Sequence, residues 1–186
     1  PPFIFLTGHK NFTFTNEEVE KLREYLLVGG CIWADNSLPG RRSRFDMAFR
    51  REMKRVLPDR EFEVVPPHHP IFNSFYKLND VPTGMNFYRE PLEMVRIGDE
   101  IAVIYSLNAY SDLWQTGFNE KSQVDTSSIR DPDSGYVRDF LGPHWGNPLY
   151  FRNVSEDSVR NAYRLGINIL VHLLIRFQDK VNFAPG

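Results

Sequence analysis

Short apolar runs alternate with amphipathic segments along most of the chain. Residues 3–7 form a continuous apolar run, which is typical of a strand buried on both faces. Thr15 and Glu18 have the spacing of a capping box, which predicts that a helix begins there. The glycine pair at 29–30 ends that helix, and the apolar run at 31–34 predicts the next strand.

A second helix and a hairpin follow. Ser43 with Asp46 predicts a helix start, after which five apolar residues have helical spacing: Phe45, Ala48, Phe49, Met53 and Val56. Residues 62–65 predict a short strand. Residues 92–97 and 101–107 flank Gly98, which predicts a β-hairpin and therefore one antiparallel pairing.

The last third divides into an irregular part and a helix. Residues 110–153 contain much Gly, Pro, Asp and Ser with little periodicity, which predicts a long loop that is a functional lid or is partly disordered. Ser155 predicts the start of a long helix that continues to about Phe177 and is buried on most faces from Leu165 onward. Strands that alternate with helices predict a layered α/β fold with a mainly parallel sheet.

Composition fits one globular domain. The chain has 186 residues, 22 Lys and Arg against 24 Asp and Glu, and a formal net charge of −2, which does not favour nucleic-acid binding. One cysteine excludes an intrachain disulfide framework. The chain begins Pro1-Pro2, so we expect a fragment of a longer protein. The apolar stretch at 167–175 is too short to span a membrane.

Polar residues follow several of the predicted strands. Loops converge where parallel strands end, so a ligand site is expected at the carboxyl edge of the sheet. The alternative is that such residues only terminate strands and shape turns. The candidates at this edge are His9, Asp35, Asn36, Ser37, His68, His69, Asn108, Tyr110 and Asp112.

Three specific chemistries find little support. Cys31 opens its strand and is expected to be buried and inert at the opposite end of the sheet. Ser37 has no G-x-S-x-G sequence around it. The histidines lack the spacing of a compact metal motif, so neither a metal nor another cofactor is predicted. His172 is interpreted as a core histidine.

Residues 41–55 are strongly basic. They hold seven Arg and Lys residues against Asp46 and Glu52, which is a local charge of +5. This pattern is typical of a solvated helix face, but it would also suit an anionic partner. Arg41, Arg42 and Arg44 follow the proposed site edge and could hold an anionic ligand.

Five segments together resemble a known family. The runs FIFLTGH, NEEVEKLREYLLVGGCIWADN, FDMAFRREM, HHPIFNSFY and IAVIYSLNAYSD resemble the bacterial domain-of-unknown-function family 4159 across nearly the whole chain. By resemblance this family belongs to the class I glutamine amidotransferase-like superfamily, with ThuA-like relatives. The resemblance implies a three-layer α/β/α, flavodoxin-like fold over a single domain, residues 1–186.

The same resemblance bears on activity and location. Amidotransferases place a cysteine in the turn that follows the strand at 31–34, where this chain has Asp35, Asn36 and Ser37, so glutaminase activity is not expected. The family usually has an acidic residue where this chain has His68. Its members are often parts of exported or membrane-anchored proteins, which implies a periplasmic or membrane-associated parent.

Three functions remain open. The leading hypothesis is a domain that binds a small polar ligand, a saccharide or a peptide, with Trp114 or Trp145 as a flat apolar contact. The second is a hydrolase that uses Asp35 or His9 as general base. The third is a structural module whose partner surface is residues 41–55. The residues proposed to bind the ligand are His9, Asp35, Asn36, Ser37, Arg41, Asn108, Asp112 and Trp114.

Overall fold

The computed structural model describes residues 1–121, 123–125 and 153–183. The strands are β1 (Ile4–Gly8), β2 (Ile32–Asn36), β3 (Glu63–Val64), β4 (Glu93–Ile97), β5 (Glu100–Ser106), β6 (Gly117–Phe118) and β7 (Val124–Asp125). The α-helices are α1 (Asn16–Leu27), α2 (Arg44–Val56), α3 (Tyr110–Trp114) and α4 (Glu156–Phe183). Two 3-10 turns lie at Pro70–Asn73 and Met85–Phe87.

Five strands form a mixed sheet in the order β1-β2-β5-β4-β3. β1 pairs with β2 and β2 with β5 in parallel, whereas β4 pairs antiparallel with both β5 and β3. The predicted hairpin is therefore confirmed as β4–β5. The prediction of a mainly parallel sheet is wrong, because the tight connection at Gly98 turns β4 and β5 against each other.

β1 is an edge strand. Its residues alternate between half-buried and exposed, and 41% of Phe5 is exposed. The prediction that β1 is buried on both faces is wrong. Apolar composition does not distinguish a central strand from an edge strand, because that difference depends on whether a neighbour is present.

The sequence signals for α1 and α2 are confirmed. The Thr15 hydroxyl accepts the Glu18 N–H, and the Glu18 carboxylate accepts the Thr15 N–H, so the capping box is complete. Ser43 caps α2 through the Asp46 N–H. All five apolar residues predicted for α2 are buried, so this face packs on the sheet with the spacing read from the sequence.

Two apolar clusters flank the sheet. One joins α1 and α2 to Ile32, Ala34 and Val103, and the other joins α4 to Trp33 and Ile104. Alternate residues of β2 and β5 thus enter opposite clusters. The architecture is α/β, with a mixed five-stranded sheet and a long C-terminal helix.

α4 differs from its prediction in length and burial. It continues to Phe183, and only one face is buried, through Leu165, Ile169 and Leu173. Leu174 and Phe177 are exposed, so burial on most faces is wrong. None of the helices in the described residues has the length and apolar character needed to cross a membrane.

Residues 110–118 and 124–125 are more regular than predicted. Tyr110–Trp114 is helical, and β6 pairs antiparallel with β7. The irregular loop predicted to begin at residue 110 is wrong for this part, because five residues are enough for one helical turn without a periodic pattern. Trp145, one of the two proposed flat contacts, lies outside the described residues.

Candidate functional site

Three side chains meet where β1, β2 and α3 come together. The Ser37 hydroxyl donates to Asp112 Oδ1 at 2.7 Å, and His9 Nε2 lies 3.4 Å from Ser37 Oγ. Ser37 follows β2, His9 follows β1 and Asp112 lies in α3. Ser37 and Asp112 are both buried, whereas His9 is exposed. A hydroxyl between a carboxylate and an imidazole offers both donor and acceptor groups.

These three residues form part of the wall of one cavity. Its volume is about 440 Å³. The wall combines polar and charged side chains with a few apolar ones, as is usual for small-molecule sites. The lining residues are His9, Lys10, Ser37, Leu38, Pro39, Arg44, Met85, Asn86 and Asp112.

Asp35 lies beside the cavity and is fully buried. Its Oδ2 accepts the backbone N–H of Ser111 at 2.7 Å. Its Oδ1 makes no hydrogen bond of regular geometry within the described residues, although the Ser106 and Ser111 hydroxyls are near enough to affect its pKa. Asp35 therefore holds the first turn of α3 rather than facing the cavity.

The environment of Asp35 favours its protonated form. Burial, together with the nearby charge of Asp112, raises the pKa of this carboxyl. Hydrogen bonds from Ser111 and Ser106 oppose this rise, and the net result is a pKa of about 6 instead of 3.8. A carboxyl group with such a pKa titrates near neutral pH.

The backbone just before α3 is strained. Ala109 is fully buried and has φ 52° and ψ 48°, in the left-handed region. Its side chain gives α3 no cap, so the Asp35 carboxylate supplies one from the neighbouring strand. Left-handed conformation at a residue other than glycine is concentrated at functional sites.

One family model covers most of the chain. The model described as "Domain of unknown function (DUF4159)" matches residues 1–174. The chain belongs to this family. A search of curated proteins found no match. The cavity, with every residue that lines it, falls within the DUF4159 match.

Of the site residues predicted for this DUF4159 chain, three line the cavity: His9, Ser37 and Asp112. Asn36 turns inward, where its amide donates to Gly40 O and Ser43 Oγ. Asn108 binds both the N–H and the C=O of Glu90. These two amides shape the loops around the site. This agrees with the alternative hypothesis, in which such residues only terminate strands and shape turns.

Trp114 and Arg41 also have other contacts. Trp114 donates to Ala162 O and packs against Trp33. Arg41 pairs with Glu90 and with Glu93. Both lie outside the lining of the cavity in the described residues.

His69 lies elsewhere than predicted. The expectation that it lies at the carboxyl edge is wrong, because it lines a cavity with Asp99, Glu100 and Ile101 at the beginning of β5. The His69 ring instead contacts His172 of α4, with ring centroids 5.5 Å apart. Burial, together with the nearby charges of His69 and Arg176, lowers the pKa of His172 from 6.5 to about 4.

Cys31 is fully buried. Burial raises the pKa of its thiol to about 11, which disfavours the reactive thiolate. In the described part of the chain, no group of three or more His, Cys, Asp or Glu side chains has a geometry that could hold a metal ion.

The polar contributors that sequence reasoning missed are Lys10, Asn86 and Ser111, and it also missed the apolar lining residues Leu38, Pro39 and Met85. Lys10 directly follows His9, and an extension of the candidate set by one residue would have included it. Asn86 has φ 53°, a conformation that asparagine tolerates better than most residues. Ser111 acts through its backbone N–H, which no sequence pattern marks.

Proposed function

We propose that this DUF4159 chain binds a small polar ligand in the cavity lined by His9, Ser37 and Asp112. The hydrogen bond between Ser37 and Asp112 is the observation that carries the proposal. Burial of the Asp112 carboxylate costs free energy, and an apolar side chain would fill the same place at lower cost. A role in ligand binding explains why an acid stands there instead. Groups from β1, β2, α2 and α3 converge here, which supports a binding site over a strand terminus.

The arrangement suits hydroxyl and amide groups. Because Ser37 gives its proton to Asp112, its oxygen is oriented to accept a hydrogen bond from a ligand. His9 and Asn86 supply further donors and acceptors, while Leu38 and Met85 provide apolar contact. A saccharide carries closely spaced hydroxyl groups, and the main chain of a short peptide carries closely spaced amide groups. Either set matches the donors and acceptors of the cavity.

The test is a titration followed by amide chemical shifts in two-dimensional NMR. The probes are glucose, galactose, N-acetylglucosamine and diglycine. Binding should shift the amides of residues around Ser37 and Asp112, and Ser37→Ala should weaken it about fivefold or more, which corresponds to one hydrogen bond of about 1 kcal/mol. Ser74→Ala is the matched control, because Ser74 donates to Asn168 O outside the cavity.

A contrary result is clear. If no probe shifts the cavity amides at millimolar concentration, the proposal fails for saccharides and for short peptides. If Ser74→Ala weakens binding as much as Ser37→Ala does, the cavity is not the site.

A hydrolase is the second candidate, and His9 favours it. Its Nε2 lies at the cavity wall near Ser37. Ser37 already donates to Asp112, so His9 would act as general base on water rather than on this hydroxyl. Asp35 is less suited to that role, because it lies outside the cavity lining.

The enzyme candidate is tested by hydrolysis of p-nitrophenyl esters, glycosides and phosphates. His9→Gln should reduce the rate at least a hundredfold, the usual size of a general-base contribution. Asn11→Gln, a change on the neighbouring loop, should leave the rate unchanged. If the rate in His9→Gln equals that of the unaltered chain, the candidate is rejected.

Fold and location at the finer level are also proposals. Apolar clusters on both faces of the sheet support a three-layer arrangement of the class I glutamine amidotransferase-like kind. Asp35, Asn36 and Ser37 in place of a nucleophile turn support a member without glutaminase activity. A periplasmic or membrane-associated parent rests on the family resemblance.

The basic segment gives little support to the third hypothesis. Five of its seven basic residues form ion pairs, so most of the positive charge of residues 41–55 is neutralised within the fold. A partner surface that depends on this charge is therefore not our proposal.

A further inference from the structure

The charges of the basic segment are unevenly compensated. Arg41, Arg50, Arg51, Lys54 and Arg55 each have a carboxylate partner. None of the ion pairs among the described residues includes Arg42 or Arg44. Both are exposed, but only Arg44 lines the cavity.

Lys10 lines the same cavity. It is exposed and also forms no ion pair with the described residues. Among the described residues, the cavity wall thus carries two cations that form no ion pair, Arg44 and Lys10. The one carboxylate among the described lining residues, Asp112, is buried and accepts the Ser37 hydroxyl. The accessible part of the wall is therefore positive.

We propose that the cavity selects ligands that carry a carboxylate or phosphate group, through Arg44 and Lys10. This inference rests on the proposed function and names the chemical class of its ligand. The polar part of the ligand contacts Ser37, His9 and Asn86, and its anionic group lies between the two cations at the mouth.

The two cations have different capacities. The Arg44 guanidinium presents a planar fork that matches two oxygens of a carboxylate or phosphate, while Lys10 adds a point charge. Both side chains are solvated, so each ion pair is worth little by itself. The expected preference for an anionic ligand is about three- to tenfold, the combined effect of two exposed ion pairs.

The experiment compares three sugars with one skeleton. Glucose, glucuronate and glucose 6-phosphate are titrated into the chain at low salt, with inorganic phosphate as a fourth probe, and amide shifts give each Kd. Glucuronate and glucose 6-phosphate should bind about three- to tenfold more tightly than glucose. This preference should decrease as salt is added.

Arg44→Gln and Arg42→Gln form a matched pair. They remove the same charge from neighbouring exposed positions, but only Arg44 lines the cavity. Arg44→Gln should remove most of the preference for the anionic sugars over glucose. Arg42→Gln should keep the preference.

The outcomes separate this inference from the proposed function. If glucose binds as tightly as its anionic analogues, or if both Gln variants behave alike, the anion selectivity is wrong and the binding site stands. If none of the four probes shifts the cavity amides, the anion selectivity is wrong, and the proposed function fails as well if galactose, N-acetylglucosamine and diglycine give no shifts either.

Discussion

The Asp35 carboxylate accepts the backbone N–H of Ser111 at 2.7 Å, so a buried acid at the end of β2 caps a helix that begins 75 residues later in the chain. Asp112, the residue after Ser111, in turn accepts a hydrogen bond from the Ser37 hydroxyl. Two hydrogen bonds, one donated from each side, thus fix α3 against the end of β2. The position of Asp112 in the cavity wall depends on Asp35, which lies outside it.

Replacement of Asp35 by asparagine should stabilise the chain at neutral pH. The folded pKa of about 6 exceeds the usual 3.8, so the folded state binds more protons between these values and stability falls as pH rises through them. The asparagine amide oxygen would keep the hydrogen bond to Ser111 without the charge. The free energy of unfolding at pH 7.5 should rise by up to about 3 kcal/mol, measured by urea denaturation.

The same comparison at pH 4 provides the reference. There the native carboxyl is mostly protonated, so the difference between Asp35→Asn and the unaltered chain should nearly vanish. Asp35→Ala should be destabilised at both pH values, because Ser111 loses its acceptor. Equal gains for Asp35→Asn at pH 4 and pH 7.5 would contradict a raised pKa.

His172 should make the chain sensitive to acid. Its folded pKa of about 4 lies below the usual 6.5, so the unfolded state binds more protons and stability is lost as pH falls from about 6.5 to 4. His172→Gln should flatten the dependence of Tm on pH in that window. Above pH 7, residue 172 is neutral in both His172→Gln and the unaltered chain. The difference in stability measured there is therefore the baseline. An unchanged slope would show that His172 does not titrate as described.

Ala109 should tolerate glycine but not a β-branched residue. Glycine adopts the left-handed region freely, whereas a branched Cβ makes it much less favourable. Ala109→Gly should change stability by no more than about 1 kcal/mol, while Ala109→Val should lose about 2 kcal/mol or more. Urea denaturation measures both. A stable valine variant would mean that the backbone relaxes out of this conformation.

Cys31 should resist thiol reagents while the chain is folded. It is fully buried and its pKa is raised to about 11, so little thiolate is present or accessible at pH 8. Reaction with a disulfide dye should be at least a hundredfold slower than in 6 M urea. Rapid labelling of the folded chain would place the thiol nearer the surface.

Local signals predicted α1 and α2 well. Thr15 and Glu18 form a complete capping box, and Ser43 accepts the Asp46 N–H at the start of α2. The β4–β5 hairpin could be predicted equally well, because the turn needs a positive φ and the sequence has glycine, Gly98, at that position. In each case the determining residues lie within a few positions of one another.

Only part of the site could be predicted from the sequence. His9, Ser37 and Asp112 follow from the rule that ligands bind where parallel strands end, and all three line the cavity. The inward orientation of the Asn36 and Asn108 side chains could not be predicted, because it depends on loops such as the one at Gly40. Backbone donors such as Ser111 N–H leave no signal in sequence.

The edge position of β1 has a practical consequence. Ile4 N–H bonds toward β2, so by alternation the main-chain groups of Phe5 and Thr7 point to the side where no described strand pairs. β1 has no charged side chain, and an uncharged edge strand can recruit further strands at high protein concentration. A lysine in place of Phe5 is accordingly the change to make before preparing the concentrated samples that NMR titrations need.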